Sequence, residues 1–295
     1  MKDIEPITKK YYNCWVSNIA TLSHYFKRSY NAIFINNLYF PHNIFSEAQS
    51  HTINNLSCSL VQLKMLKEFH GIEISEFHPC PLSKNIQFPL LINVDAFYLP
   101  WTKHYQAKHL VTHCIIAQDK KQDQYSCVDP FFSSSSLLEV RLDTIQDFTY
   151  CNIKCHETKD TACFQKTLRS VVKEYAHLYE EELIKVDTAS SLSIDTSKRE
   201  NSSTVYDNAV ILKIDEIINN RYCYAELMEY LDLKISPEIF KVVKLWEKFK
   251  LVIISKFLKG ETDTYTVKKL FEQCIEHEML LVRFILSILK SEGFE

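Results

Sequence analysis

Only three glycines, Gly71, Gly260 and Gly293, occur in 295 residues, and that scarcity limits this chain more than any other feature. Glycine reaches left-handed backbone at low cost and lets a main chain come close to a phosphate. Dinucleotide fingerprints, phosphate-binding loops and the G-x-S-x-G nucleophile elbow all need glycines at fixed offsets. Three glycines this far apart can spell none of them. Most nucleotide-dependent enzymes and the usual serine hydrolases are thereby excluded.

The rest of the composition is that of a globular protein, with 46% hydrophobic and 24% charged residues. Net charge is −3 and no basic block stands out, so a nucleic-acid partner has no electrostatic support. The opening MKDIEPITKK lacks the apolar core of a signal peptide. The most apolar run, Met279–Val282 and Phe284–Leu289, is broken by Arg283 and falls short of the roughly 20 residues a spanning helix needs. A cytoplasmic protein with no membrane partner is expected. Its ten cysteines are then thiols, mostly buried, rather than disulfides.

Pattern types change midway. Helical periodicity runs from Cys14 to about Lys27, with Val16, Ile19, Ala20 and Tyr25 or Phe26 on the inward stripe. A second helix from about Ser57 shows Leu60, Leu63, Leu66 and Phe69 on one face and stops at Gly71. Strand-like runs follow at Ile72–Phe77, Phe88–Asp95, Thr112–Gln118, Gln124–Asp129 and Leu137–Leu142, with a glycine-free turn at Asp119–Asp123. Helices cover Phe164–Ile184, Val205–Leu231, Ser236–Phe257 and Val267–Leu289, and the polar Asp187–Thr204 lies between the first two. The fold class expected is α+β: a mixed helix-and-strand domain over 1–160 and a helical domain over 161–295.

Cys14, in Tyr11-Tyr12-Asn13-Cys14-Trp15, stands directly ahead of an apolar helix. Helix N-terminal N–H groups and the positive end of the dipole favour a thiolate there, and the same donors can hold an oxyanion. A plain buried cysteine would look similar, so the partners decide. His113 opens the strand His113-Cys114-Ile115-Ile116-Ala117, and Asp129 closes Tyr125-Ser126-Cys127-Val128-Asp129-Pro130. A short turn between two strands brings the start of one beside the end of the next, which makes His113 and Asp129 neighbours. A carboxylate fixes an imidazole's tautomer and stabilises its protonated form.

This order of a cysteine helix, a strand-opening histidine and Val-Asp-Pro resembles the papain-like cysteine peptidase superfamily. Asn93-Val94-Asp95-Ala96-Phe97-Tyr98-Leu99-Pro100, Lys108-His109-Leu110-Val111-Thr112-His113 and Val128-Asp129-Pro130 look, more narrowly, like the butirosin biosynthesis protein H family. The likeness covers about residues 10–150 and the helical remainder only loosely. It implies a papain-like catalytic domain, its N-terminal cysteine helix packed on an antiparallel sheet, and an acyltransferase of antibiotic biosynthesis. It further implies Cys14, His113 and Asp129 as the triad and an acyl or peptidyl carrier protein as partner. The carrier's phosphopantetheine is only the arm of the thioester donor, with no cofactor bound by the enzyme. A small amine, a diamine or an amino sugar, would accept the acyl group, and the helical part would shape the acyl and acceptor site.

Two departures stand out. Family members often carry glycine after the histidine-led strand, where this chain has Gln118-Asp119. Papain-like peptidases place a glutamine upstream of the cysteine to complete the oxyanion hole, and no glutamine precedes Cys14. Asn13, Tyr11, Tyr12 or backbone donors must serve instead. That departure counts against a peptidase more than a transferase, because an amide is harder to attack than a thioester.

Other residues have two readings each. Asp95 would orient the substrate amine or assist His113, or else cap the loop after its strand. Tyr98 and Trp101 would line an acyl pocket or simply pack, and His109 shares a strand face with His113. Cys151, Cys155, His156 and Cys163 match no standard zinc spacing, so no metal is expected. Lys241, Lys244, Lys248 and Lys250 suit either an acidic carrier protein or a solvated helix face. Competing with the transferase are a cysteine peptidase or amidase on the same triad and a catalytically silent papain-like binding module.

Overall fold

The computed structural model describes residues 4–39, 55–79, 87–102, 113–135, 137–141, 145, 148–157, 161–186, 209–259 and 264–291. The chain forms two compact units, Met1–Tyr30 with Leu63–Thr158, and Asn31–Gln62 with Lys159–Glu295. The architecture is α+β, as the patterning implies.

The first unit holds helix α1 (Cys14–Tyr25) and a seven-stranded antiparallel sheet. Its strands are β1 (Ile72–Ile74), β2 (His78–Pro79), β3 (Leu90–Val94), β4 (His113–Lys121), β5 (Gln124–Val128), β6 (Leu138–Val140) and β7 (Thr149–Cys155). Spatial order is β1-β7-β3-β4-β5-β6, with β2 also on β7. The period-2 alternation of β3 to β5 builds the core: Leu90, Ile92, Val94, Ile115, Ala117, Tyr125 and Cys127 belong to one buried cluster. Helix α2 (Asn55–His70) ends at Gly71, as its sequence indicates. Its buried stripe is Met65, Leu66 and Phe69, whereas Leu60, expected on that stripe, is 67% exposed.

Four described elements escape the sequence reading, among them β2 and the 3₁₀ segment Ala96–Tyr98. Asn31–Asn37 is a 3₁₀ segment, buried at Ala32, Ile33, Phe34 and Ile35. The stretch with a zinc-like look is strand β7, paired to β3 through Leu91↔Cys151 and to β1 through Ile72↔Cys155. Cys151 is fully buried while Cys155 is exposed. Among the described residues no group of three metal-ligating side chains occurs.

The second unit contains α3 (Thr161–Ile184), α4 (Ala209–Tyr230), α5 (Ser236–Lys259) and α6 (Thr264–Ser291). Helix α4 packs on α5, α5 on α6 and α6 on α3. A buried charge cluster lies among them. Arg221 Nε donates to both carboxylate oxygens of Glu278, at 2.9 and 3.1 Å. Its other nitrogens reach Asn37 O and the Tyr179 hydroxyl, and Trp246 Nε1 donates to Glu278 at 2.8 Å. No helix among the described residues is long and apolar enough to cross a membrane.

With so few glycines, L-residues occupy left-handed backbone. Lys27 (φ 56°), Gln122 (φ 55°) and Asp232 (φ 57°) join Gly71 (φ 67°) there. Lys27 and Asp232 end α1 and α4 with the same six-to-one closure, Arg28 N–H to Ser23 O and Leu233 N–H to Met228 O, both 2.8 Å. Gln122 turns the β4–β5 hairpin between the paired residues Lys121 and Gln124. A side chain in that region costs roughly 1–2 kcal/mol. Gln122→Gly should therefore raise the unfolding free energy by about 1 kcal/mol in urea titration, with no change in the hairpin's register.

Candidate active site

Asn13 caps α1. Its backbone is extended, Oδ1 accepts from Val16 N–H at 2.9 Å, and its carbonyl accepts from Ser17 N–H at 3.0 Å. The cap sets Cys14 as the first helical residue. Cys14 is half-buried, unlike Cys114, Cys127 and Cys151, which are buried.

Asn18, one turn on, fixes where that helix end lies. Its Nδ2 donates to Cys14 O and to Cys114 O, both at 2.7 Å. Asn18 is fully buried, so these bonds face little competition from water. Cys114 follows His113 on β4, and the staple thereby joins the Cys14 turn to the histidine's strand across 96 positions of sequence. Sequence reasoning passed Asn18 over. The signal was there: an asparagine four residues after Cys14, inside an otherwise apolar stripe.

His113 pairs with Val94 on β3, and Ile116 with Val128 on β5. Continuing that register sets Asp129 opposite Ile115, on the same face as His113 and diagonal to it. The diagonal closes through side chains, His113 Nε2 to Asp129 Oδ2 at 2.9 Å, and both residues are fully buried. The two are thus neighbours across the hairpin, where the short turn between their strands would put them.

Asp129 is held on all sides. Trp101 Nε1–H donates to the same Oδ2 at 2.7 Å, and the N–H groups of Phe131 and Phe132 donate to Oδ1 at 3.2 Å each. The Phe132 ring packs 4.8 Å from the imidazole. Neither phenylalanine stands out in the sequence, although Asp-Pro-Phe-Phe is the turn that the aspartate caps.

With Nε2 committed to Asp129, Nδ1 is the nitrogen left for Cys14. Cys14 is near enough to act on the charge of His113, while Nδ1 has no hydrogen-bond partner of normal geometry among the described residues. Loose contacts of this kind are usual for a nucleophile and base without substrate. Burial by itself lowers the His113 pKa; hydrogen bonds and charges from Asp129 and Cys14 outweigh it and raise the value from 6.5 to about 9. His113 is therefore an imidazolium at neutral pH.

The remaining candidates fall elsewhere. The Tyr12 hydroxyl meets that of Tyr30 at 2.9 Å, inside the unit. Lys9 lies over the rings of Tyr11 and Tyr12. Asp95 caps the 3₁₀ segment Ala96–Tyr98, accepting from Phe97 N–H at 3.0 Å; the carboxylate on His113 is Asp129. Tyr98 packs against the sheet's core cluster. Trp101 packs there too, yet its polar edge goes to Asp129. His109 lies outside the described residues. Where the family carries glycine, β4 has a bulge between Ala117 and Asp119, and Gln118 Oε1 accepts from Ile4 N–H at 3.2 Å.

Two outcomes follow from this geometry. A raised histidine pKa contributes stability that is complete below pH 6.5 and is lost as pH rises through about 9. The stability advantage of the natural protein over Asp129→Asn should accordingly shrink between pH 6.5 and 9 in chemical denaturation. Asn18→Leu should cost about 1–3 kcal/mol and, by loosening Cys14 from the imidazole, bring the His113 pKa below about 9 in an NMR titration. Comparison with known sequences yields neither a matching family model nor a matching curated protein.

Proposed function

We propose that this protein is a cysteine-dependent acyltransferase that forms an amide bond. It would move an acyl group from a carrier protein's phosphopantetheine thioester, through acyl-Cys14, to an amine. The observation that carries the reading is His113 set between a buried carboxylate and a half-buried cysteine at a helix N-terminus.

The cycle needs no other reagent. His113 holds the proton of Cys14, and the sulfur attacks the thioester carbonyl. The donor's C–S bond breaks, and its thiolate takes the proton from the imidazolium. Exchange of one thioester for another is close to thermoneutral. The amine then attacks acyl-Cys14 and gives a proton to His113 as the Cys14 sulfur departs. Amide formation from a thioester is downhill, so ATP has no part to play, in keeping with a chain too poor in glycine for a phosphate loop. Asn13 commits its side-chain oxygen to the cap and Tyr12 its hydroxyl to Tyr30. An oxyanion takes donors, so its contact would come from the Asn13 amide nitrogen or from backbone N–H groups in the first turn of α1. A thioester, more reactive than an amide, suits so modest a hole. A papain-like arrangement of the first unit, a small diamine or amino sugar as acceptor, and a cytoplasmic setting that keeps the thiol reduced complete the reading.

Intact-mass measurement after incubation with acyl-pantetheine donors tests it. The expected result is one acyl group on Cys14, cleared faster by a diamine than by buffer, and no adduct on Cys14→Ala. An adduct that water clears as fast as amine would make the protein a hydrolase. A Cys14→Ala protein with its full biological function would make it a binding module. The rate of acylation should also fall as pH climbs through about 9, because the imidazolium that must protonate the departing thiol is then lost.

A further inference from the structure

We propose that Trp101 is a positioning residue for this site: its indole N–H holds Asp129 Oδ2 where His113 meets it and limits how strongly that oxygen grips the imidazolium. The catalytic consequence rests on the acyltransfer reading, whereas the effect on His113 does not.

Three observations support it. The indole and the imidazole meet one and the same oxygen, at 2.7 and 2.9 Å, while the other oxygen is occupied by the N–H groups of Phe131 and Phe132. Asp129 is fully buried, so these four donors are its solvation among the described residues. An indole N–H can donate and never accept. It therefore draws charge from Oδ2 without taking the proton, and each share it takes weakens the pull of Oδ2 on His113. The indole is also placed in advance. Thr102 closes the turn under Trp101, with N–H to Leu99 O at 3.2 Å and its hydroxyl to the carbonyls of Ala96 and Leu99. That turn follows β3, whose Val94 pairs with His113. A phenylalanine would pack against the same core cluster without a donor, so packing alone does not require tryptophan.

The groups facing this pair can be named. Cys14 comes from α1, Cys114 from β4 and Cys127 from β5, with Cys151 of β7 next to Cys114 and Asp95 just past Val94, the partner of His113. Burial, joined by nearby negative charge, pushes Cys114 far up and Cys127 to about 12, and burial pushes Cys151 to about 12. These three thiols stay neutral where His113 titrates. The Asp95 carboxylate is turned to Phe97 N–H.

Trp101→Phe is the test, read by NMR titration of His113. With the indole gone, Oδ2 is left to the imidazolium alone, and the pKa should move up from about 9 by on the order of one unit. The alkaline limb of acylation should move with it. The amine-attack step near pH 7.5 should slow several-fold, because less free imidazole is there to accept a proton. A His113 titration unmoved by Trp101→Phe would overturn the proposal. If that variant does not fold, the natural protein supplies the answer. Its three tryptophans give a simple ¹⁵N-indole spectrum, in which the Trp101 N–H resonance should follow the His113 titration, and a resonance indifferent to it would overturn the proposal equally. Both titrations need no acyl donor. A protein that accepts no thioester would sink the acyltransferase and leave the role of Trp101 toward His113 intact.

Discussion

A buried contact between one imidazole and one carboxylate sets the terms for the first unit. Each partner alone would be costly there: burial disfavours the charge on His113, and an ionised Asp129 has lost its water. Together they are tolerated because the carboxylate is fully supplied with donors and the imidazolium has an acceptor. The balance comes out in favour of charge, by an amount on the order of a few kcal/mol for a pKa raised to about 9. The surroundings follow from that need. The Asp129–Phe132 turn aims two N–H groups at the carboxylate, the turn at Trp101 aims a third, and Asn18 ties the cysteine's helix to the histidine's strand.

Scarcity of glycine acts in two ways. It rules out the glycine-rich phosphate loops and dinucleotide fingerprints, which need glycines at fixed offsets. It also obliges the fold to turn on ordinary residues. Lys27, Gln122 and Asp232 carry side chains in left-handed backbone, and the two helix ends among them are closed by bonds that repeat one geometry. Sharp reversal at the site is handled differently, by an aspartate accepting from the N–H groups two and three residues on, with proline between. Asp129 thus shapes its own turn with one oxygen and serves His113 with the other.

What could be read from the sequence was whatever is carried by period or by nearness along the chain. The helix at Cys14, the long helices after Thr161 and the strands at His113 and Gln124 announce themselves by period. The His113–Asp129 pairing follows from a short turn between two strands. Three kinds of feature were hidden. Strand β7 mixes cysteine, asparagine and lysine with its apolar residues, which disguised it. The 3₁₀ segment Asn31–Asn37 has no period to detect, and the burial of Ile33, Phe34 and Ile35 is decided by what packs on it. Leu60 shows the converse: it falls on the helical stripe and is still exposed. Bonds over long separations were least legible. Asn18 to Cys114 spans 96 positions and Trp101 to Asp129 spans 28, and no local rule connects them. Trp101 looked like packing because it does pack; only its polar edge tells more.

Two buried charge clusters occur among the described residues, and their difference bears on function. In the second unit, every nitrogen of the Arg221 guanidinium has an acceptor, and Glu278 also takes Trp246 Nε1. A network closed in this way has no proton to spare and no atom facing a reactant; its plain use is to hold helices in one register. The cluster in the first unit is closed at one end only. Asp129 is saturated, but the far nitrogen of His113 is buried without a hydrogen-bond partner of normal geometry among the described residues, near the half-buried Cys14. Leaving a buried donor so poorly matched costs about 1–3 kcal/mol. A purely structural pair would gain by finishing the network, as the Arg221 cluster does. On the acyltransfer reading, an imidazole that must hand its proton to a departing thiolate gains from leaving that side open.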